Sequence, residues 1–157
     1  MPNGGLITIA ILLPNLLFML WPPQPQSPPE EPGRTSRWWS GAEWLGRLAV
    51  LVLPFLCRID VRGYPGAVAV AVMGLSLAGY YAGWGRYLWR GRHPVWLYRP
   101  MLGLRQPMAV LPTLWLLAGS VVLHSVYLAA AALVFGVAHW RVAQGEYRRA
   151  VATALPG

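Results

Sequence analysis

The sequence predicts an all-α protein, a polytopic membrane bundle of about five transmembrane helices. Two observations lead to this prediction. Of the 157 residues, 56% are hydrophobic and only 11% are charged. In addition, three long segments contain no Asp, Glu, Lys or Arg, namely residues 1–29, 63–85 and 106–140. Segments of this length and polarity are typical of membrane spans, each of which needs about 20 mainly apolar residues.

The first predicted span covers residues 6–21, with Pro14 and Asn15 near its middle, where we expect a kink. No positive charge precedes this run and no small-x-small cleavage site follows it. An uncleaved span therefore fits better than a signal peptide. Residues 22–42 form a Pro-rich loop, which we expect to be extended and stiff. A plain spacer is the simpler interpretation of this loop, and a recognition ligand is the alternative.

The second predicted span covers residues 43–57. It can cross a membrane only if the Arg47 side chain reaches back towards the lipid headgroups. A tight polar turn around Asp60 follows it. The third predicted span covers residues 64–87, and Pro65 suits its first turn because the missing N–H is not needed there.

The uncharged run of 35 residues from Gln106 to Trp140 is too long for one straight span. As a single helix it would extend roughly 52 Å, whereas the hydrocarbon core of a bilayer is about 30 Å thick. His124 and Ser125 are the only polar pair near its middle. We therefore expect a tight helical hairpin with spans at residues 107–123 and 125–140.

The distribution of arginine orients these five spans. All 13 basic residues are Arg, which indicates a GC-rich genome, and the formal net charge is +8. With the N-terminus outside and the C-terminus inside, and with Arg47 set aside, ten Arg lie inside and two outside. A four-span arrangement would move three more Arg outside, so the positive-inside rule favours five spans. The expected location is a bacterial inner (plasma) membrane.

The basic loop, residues 88–106, is the first place to look for a ligand or lipid-headgroup site. Arginine next to aromatic side chains at a cytoplasmic face attracts anionic headgroups, so membrane lipids that are anionic are the expected partners. The orientation signal alone explains much of this charge, and its position in short loops argues against nucleic acid. The candidate binding residues are Arg86, Arg90, Arg92, Arg99 and Arg105, with Tyr87 and Trp84.

Small residues predict a helix-packing face on the third span. Gly79 and Gly83 form one small-xxx-small pair, and Gly74 begins another, with Ala78. Such pairs allow two helix backbones to approach closely. Packing between spans of one chain is the simpler interpretation, and a homodimer or a partner membrane protein is the alternative.

The sequence offers no metal or cofactor site. The single cysteine, Cys57, excludes an internal disulfide and a cysteine cluster. A haem or metal site would need histidines at similar depth on facing helices. The predicted topology puts His124 outside, His93 in the inner loop, and His139 near the inner end of the last span. There His139 is expected to be a partly buried polar residue or to line a small cavity. We therefore expect no cofactor and no metal.

The segment Tyr80-Tyr81-Ala82-Gly83-Trp84, with Arg86-Tyr87, Arg90-Gly91-Arg92 and Ala109-Val110-Leu111-Pro112, resembles small bacterial multi-span membrane proteins of unknown function. This resemblance implies the fold and transfers no activity. The outline of five spans with many Trp also looks like the tryptophan-rich sensory (translocator) proteins. Their Asn-x-x-Trp-x-Pro signature is absent here, so that family is not assigned.

Catalysis has little support, because Glu43 and Glu146 are isolated in the sequence and no Ser/His/Asp set is present. The first functional hypothesis is a non-enzymatic accessory or scaffold subunit that contacts anionic lipid. The alternative is a small-molecule or lipid binder, or a carrier, with a pocket at the cytoplasmic end of the bundle lined by aromatic residues and Arg86. An embedded enzyme acting on a lipid headgroup is the third.

Overall fold

The computed structural model describes residues 3–20 and 37–154. These segments are helical and contain no strand, only one isolated bridge between Met101 and Leu104. The predicted all-α class is therefore confirmed for the described residues. The helices are α1 (Gly5–Leu20), α2 (Arg37–Val52), α3 (Gly63–Trp89), α4 (Val95–Tyr98), α5 (Pro107–Val122) and α6 (Val126–Ala154), and a 3-10 turn covers Leu53–Leu56.

Several boundaries differ from the sequence expectation. Helix α2 ends at Val52 and is followed by the 3-10 turn at Leu53–Leu56, whereas the second span was expected to continue to residue 57. Helix α2 begins at Arg37, so residues 37–42 are helical and not part of a loop; they contain no proline to prevent it. Residues 22–36 of the predicted Pro-rich loop lie outside the described residues. Helix α6 continues past Trp140, because the Ala, Gln, Glu and Arg that follow favour helix although the apolar run has ended. The predicted basic loop, residues 88–106, contains the last two residues of α3 and all of α4.

The five long helices alternate in direction, and hydrogen bonds show which termini meet. The backbone N–H of Gly4 donates to the Cys57 carbonyl at 3.1 Å, and that of Asp60 donates to the Val122 carbonyl at 3.0 Å. These bonds join the start of α1, residues 57–62 and the turn at residues 122–125. We call this end of the bundle the Asp60 end. The opposite end of the bundle, which we call the Glu43 end, contains the start of α2, the last turns of α3, the start of α5 and the second half of α6.

The core lies between α3 and α5, α5 and α6, and α2 and α6, with α1 packed across the bundle. The buried indole of Trp115 donates from Nε1 to the Ile7 carbonyl at 2.9 Å and so ties α1 to α5. The hairpin between α5 and α6 turns at His124, which adopts φ 50°. The Ser125 hydroxyl accepts from the Leu128 N–H at 3.2 Å and caps the new helix.

Large apolar side chains also cover outward faces of the bundle, for example Leu75, which is 76% exposed, and Leu133, which is 55% exposed. By length and composition, α3 and the Val126–Gly145 part of α6 can cross a membrane. The apolar helices Gly5–Leu16 and Pro107–Val122 are shorter. Since exposed apolar helices of this kind are costly in water, these features suggest a membrane environment.

Glycines create the closest helix contacts. A Cβ on Gly46 would lie 2.9 Å from the Phe135 Cα, so α2 lies directly on the backbone of α6. Gly136, next along α6, leaves room for the Thr113 side chain of α5. Neither glycine belongs to the predicted packing face, and the two together bring α2 and α5 close to α6.

The three glycines predicted to form a packing face have different surroundings. A Cβ on Gly79 would lie 3.2 Å from Leu111, and one on Gly83 would lie 2.6 Å from the Met108 sulfur, so both face α5 within the chain. A Cβ on Gly74 would meet no described atom within 4 Å. Gly74 instead borders an apolar groove of about 370 Å³ near the Asp60 end.

We expect Gly46→Ala to lower the free energy of unfolding by about 1–3 kcal/mol, because the added methyl must push α2 off the α6 backbone. Gly74→Ala is the matched control, with open space at the new methyl. It should be neutral or stabilise by up to about 1 kcal/mol through helix propensity. Denaturant-induced unfolding in one mild detergent measures both, and equal effects would contradict the close contact.

Candidate functional site

A carboxylate and an imidazole meet inside the Glu43 end of the bundle. The Glu43 Oε1 lies 2.8 Å from Nδ1 of His139 and accepts a hydrogen bond from Nη2 of Arg47 at 2.6 Å. The Glu43 side chain is 11% exposed, that of His139 is 26% exposed and that of Arg47 is 53% exposed. A buried carboxylate is costly unless it is paired, and here it has two partners.

The local sequence explains this pairing. Arg47 follows Glu43 by four residues on α2, so the two side chains share one helix face. His139 follows Phe135 by four residues on α6, and its ring stacks on the Phe135 ring with centroids 5.0 Å apart. Helices α2 and α6 run in opposite directions and touch at Gly46 and Phe135. Glu43 lies about one turn before Gly46 and His139 about one turn after Phe135, so the two side chains meet.

This pair lines a cavity of about 660 Å³ at the Glu43 end, between the five long helices and the short helix α4. Most of its wall is apolar and includes Ile11, Val50, Met108, Leu116, Phe135 and Ala143. The polar side chains on its wall are Asn15, Glu43, Arg47, Gln106 and His139, and the aromatic ones with a polar atom are Tyr80, Trp84 and Tyr98.

Gln106 adds an open hydrogen-bonding position to the cavity. Gln106 is 7% exposed, and its side-chain Oε1 has no hydrogen-bond partner among the described residues. Its position is fixed, because its backbone carbonyl accepts from the N–H groups of Ala109 and Val110 at 3.1 Å each, at the start of α5. A buried acceptor of this kind is costly when left unpaired, so it favours a ligand or water that donates a hydrogen bond.

An aromatic series on α3 forms another part of the wall. The Tyr80 hydroxyl donates to the Asn15 Oδ1 at 2.9 Å, which joins α3 to α1. Tyr80 and Trp84 meet edge to face with centroids 6.3 Å apart, and Trp84 and Tyr87 do so at 5.7 Å. Of the aromatic residues predicted for a site, Trp84 lines the cavity, whereas Tyr87 is fully buried.

The predicted basic residues separate into different roles. Arg86 donates to three carbonyls of the basic loop, so its guanidinium holds that loop against the end of α3. Arg90 and Arg99 both lie against the Trp96 ring. Arg92 lies in the turn after α3 with φ 60°, and the side chain of Arg105 is exposed near the start of α5. Arg86 therefore orders the loop and does not line the cavity.

Sequence reasoning missed the centre of this site. Glu43 is isolated from other acids in the sequence, but α6 brings His139, 96 positions further along the chain, against its carboxylate. The available signals were a single acid in an apolar span, the spacing of Glu43 and Arg47, and the position of His139 at the inner end of α6. Among the described residues, no three His, Cys, Asp or Glu side chains group as a metal site would require.

Comparisons with protein-family models, with curated proteins and with solved structures give no match to this chain. The chemistry of the site is therefore argued from its geometry. The Glu43 carboxylate and the His139 ring share a hydrogen bond between Oε1 and Nδ1, and the cavity presents several polar groups on a mainly apolar wall.

We expect Glu43→Ala to lower the free energy of unfolding by about 2 kcal/mol, less than for a fully buried pair because Arg47 is half exposed. The control is Asp60→Ala, which removes a carboxylate whose partner Arg62 is 78% exposed. That change should cost about 0–1 kcal/mol. Unfolding in mild detergent measures both, and a smaller loss for Glu43→Ala than for Asp60→Ala would contradict the pairing.

Proposed function

We propose that this protein is a small multi-pass membrane protein that binds a small amphipathic molecule in the cavity at the Glu43 end. The observation that supports the proposal is the combination of apolar wall and buried polar groups in one space of about 660 Å³. Ligand sites of about 300–1,000 Å³ commonly have this composition, with a few polar groups that fix the orientation of the ligand.

The polar groups define the ligand by its chemistry. The Gln106 Oε1 accepts a hydrogen bond from the ligand, and the Glu43 carboxylate, held by His139 and Arg47, provides a second acceptor on the wall of the same cavity. The apolar wall covers the remaining surface. The proposed ligand therefore carries a hydrogen-bond donor at one end and an apolar body of moderate size.

The proposed setting is a bacterial inner membrane, with five spans, the N-terminus outside and the C-terminus inside. Support comes from the alternating directions of α1, α2, α3, α5 and α6 and from the charge at the two ends. Arg58 and Arg62 lie at the Asp60 end, whereas the basic loop lies at the Glu43 end. The positive-inside rule then assigns the Glu43 end, and the cavity, to the cytoplasmic side.

A second candidate function is a non-enzymatic accessory subunit anchored on anionic lipid, with a homodimer or another membrane protein as its partner. The observation that favours it is the exposed apolar surface, including the open face at Gly74, together with the basic loop. The two candidates differ in what co-purifies with the chain, a small molecule or a stoichiometric protein. Membership of a small bacterial multi-span family stays a prediction.

The cavity can be tested by filling it. Ala143 is 7% exposed on α6 and lines the cavity. In native mass spectrometry of the intact chain released from mild detergent, we expect a reproducible small-molecule adduct. Ala143→Phe should reduce the adduct at least ten-fold by occupying its space. Ala130→Phe, on an exposed part of the same helix, is the matched control and should leave the adduct unchanged.

Two results would contradict the binding function. One is a wild-type chain that is released bare and gains no adduct after incubation with a total lipid extract of its host. The other is an adduct of equal intensity in the folded Ala143→Phe and Ala130→Phe variants. A stoichiometric second protein in place of the adduct would instead support the accessory subunit.

The orientation can be tested with single cysteines in a Cys57→Ser background. Arg58→Cys lies at the Asp60 end, and Trp89→Cys replaces a side chain that is 92% exposed at the Glu43 end. A membrane-impermeant maleimide should label the first in intact cells and the second only after permeabilisation. The reverse pattern would invert the topology, and labelling of both in intact cells would contradict the odd number of spans between the ends.

A further inference from the structure

Two arginines share one aromatic platform in the basic loop. The guanidinium carbon of Arg90 lies 4.7 Å from the centroid of the Trp96 ring, and that of Arg99 lies 4.8 Å from it. Contacts of this length between a cation and an indole are attractive and limit where each guanidinium can point. Since both carbons lie close to one centroid, they are at most about 10 Å apart.

Arg86 holds the backbone of this platform in place. Its Nη2 donates to the Trp96 carbonyl at 2.6 Å and to the Arg99 carbonyl at 2.8 Å, and its Nη1 donates to the Pro100 carbonyl at 3.1 Å. The carbonyls at the end of α4 are thereby satisfied by a residue of α3. Arg86 is a positioning residue, and the backbone that presents Trp96 and Arg99 is ordered before any ligand arrives.

The charge of this pair is not balanced within its own segment. Residues 86–105 contain five Arg and no Asp or Glu. The two described carboxylates, Glu43 and Asp60, form their salt bridges with cations outside this segment. Holding Arg90 and Arg99 beside one ring therefore keeps two like charges together, an arrangement that a bound anion would stabilise.

Exposed apolar groups lie next to these cations. Trp89 is 92% exposed at the end of α3, and Leu102 is 71% exposed at the tip of a tight turn closed by the Met101 and Leu104 bridge. Tryptophan and leucine beside arginine are the composition of a surface that rests at the level of lipid headgroups. The platform thus lies where the phosphates of membrane lipids would be found.

We propose that Arg90 and Arg99, held by Trp96, form a clamp for one phosphate group. Two guanidiniums on the same face of one ring can both donate to a single phosphate outside the ring, with its phosphorus about 4 Å from each guanidinium carbon. The planar guanidinium donates two parallel hydrogen bonds to phosphate oxygens, which lysine cannot do. The phosphate is that of an anionic lipid headgroup or a free phosphate ion. This clamp is independent of the cavity and of any ligand bound there.

The test uses the full chain in mild detergent and titrates phosphatidylglycerol against phosphatidylcholine, with bound lipid counted by native mass spectrometry. The double variant Arg90→Gln/Arg99→Gln should bind phosphatidylglycerol about twenty-five-fold more weakly, from a factor of about five for each charge near an anionic surface. The matched control Arg58→Gln/Arg62→Gln removes the same charge at the Asp60 end and should change the affinity by less than about two-fold.

A third variant separates a clamp from general charge attraction. Arg90→Lys/Arg99→Lys keeps both charges and the folded loop but loses the planar donors, so we expect a loss of several-fold. It also keeps the test decisive if the glutamine double variant fails to fold. Lysine variants with full affinity would overturn the clamp, as would equal losses in the two glutamine double variants.

Inorganic phosphate distinguishes the two sources. If 10 mM phosphate leaves phosphatidylglycerol binding intact, and the loss in the Arg90/Arg99 variants stands, the clamp takes a lipid headgroup. If phosphate displaces the lipid from the wild-type chain and has no effect on the residual binding of the variants, the clamp takes free phosphate. No measurable binding of either by the wild-type chain would overturn the proposal.

Discussion

The contact between Gly46 and Phe135 is the constraint on which the Glu43 end depends. Only a residue without a side chain lets α2 lie on the α6 backbone at this point. That closeness brings the Glu43 carboxylate within 2.8 Å of His139. A wider spacing would leave a buried carboxylate with one half-exposed partner, which is costly in a low-dielectric interior. The polar end of the cavity therefore exists because two helix backbones touch one turn away.

The two ends of the bundle are built differently. At the Asp60 end, each hydrogen bond between described segments involves the backbone: Gly4 bonds to Cys57 and Asp60 to Val122, and the side chains of Asn3 and His124 bond to backbone groups of Ile59 and Asp60. At the Glu43 end, side chains make the connections: Tyr80 to Asn15, Glu43 to His139, and Arg86 to the carbonyls of the basic loop. Chemistry that depends on side chains is therefore concentrated where the helices are held apart by a cavity.

The sequence was sufficient for the parts of the fold that depend on local pattern. Uncharged runs predicted α1, α3, α5 and α6, and the single polar pair at His124 predicted the turn between α5 and α6. The start of α2 and the length of α6 were missed, because hydropathy marks apolar segments whereas helix continues wherever good helix formers follow. The Glu43 and His139 pair was missed for a different reason. It depends on which helices pack and in what register, and no periodicity within one segment encodes that.

Helix α6 is one uninterrupted element from Val126 to Ala154, and its 29 residues extend about 43 Å. Such a rod is longer than the hydrocarbon core of a bilayer is thick, so roughly its last third stands clear of the region where Phe135 meets Gly46. Because Phe135 and His139 belong to the same uninterrupted helix as residues 146–154, the contact with Gly46 and one wall of the cavity share a single element with the part of α6 that follows the apolar segment Val126–Gly145.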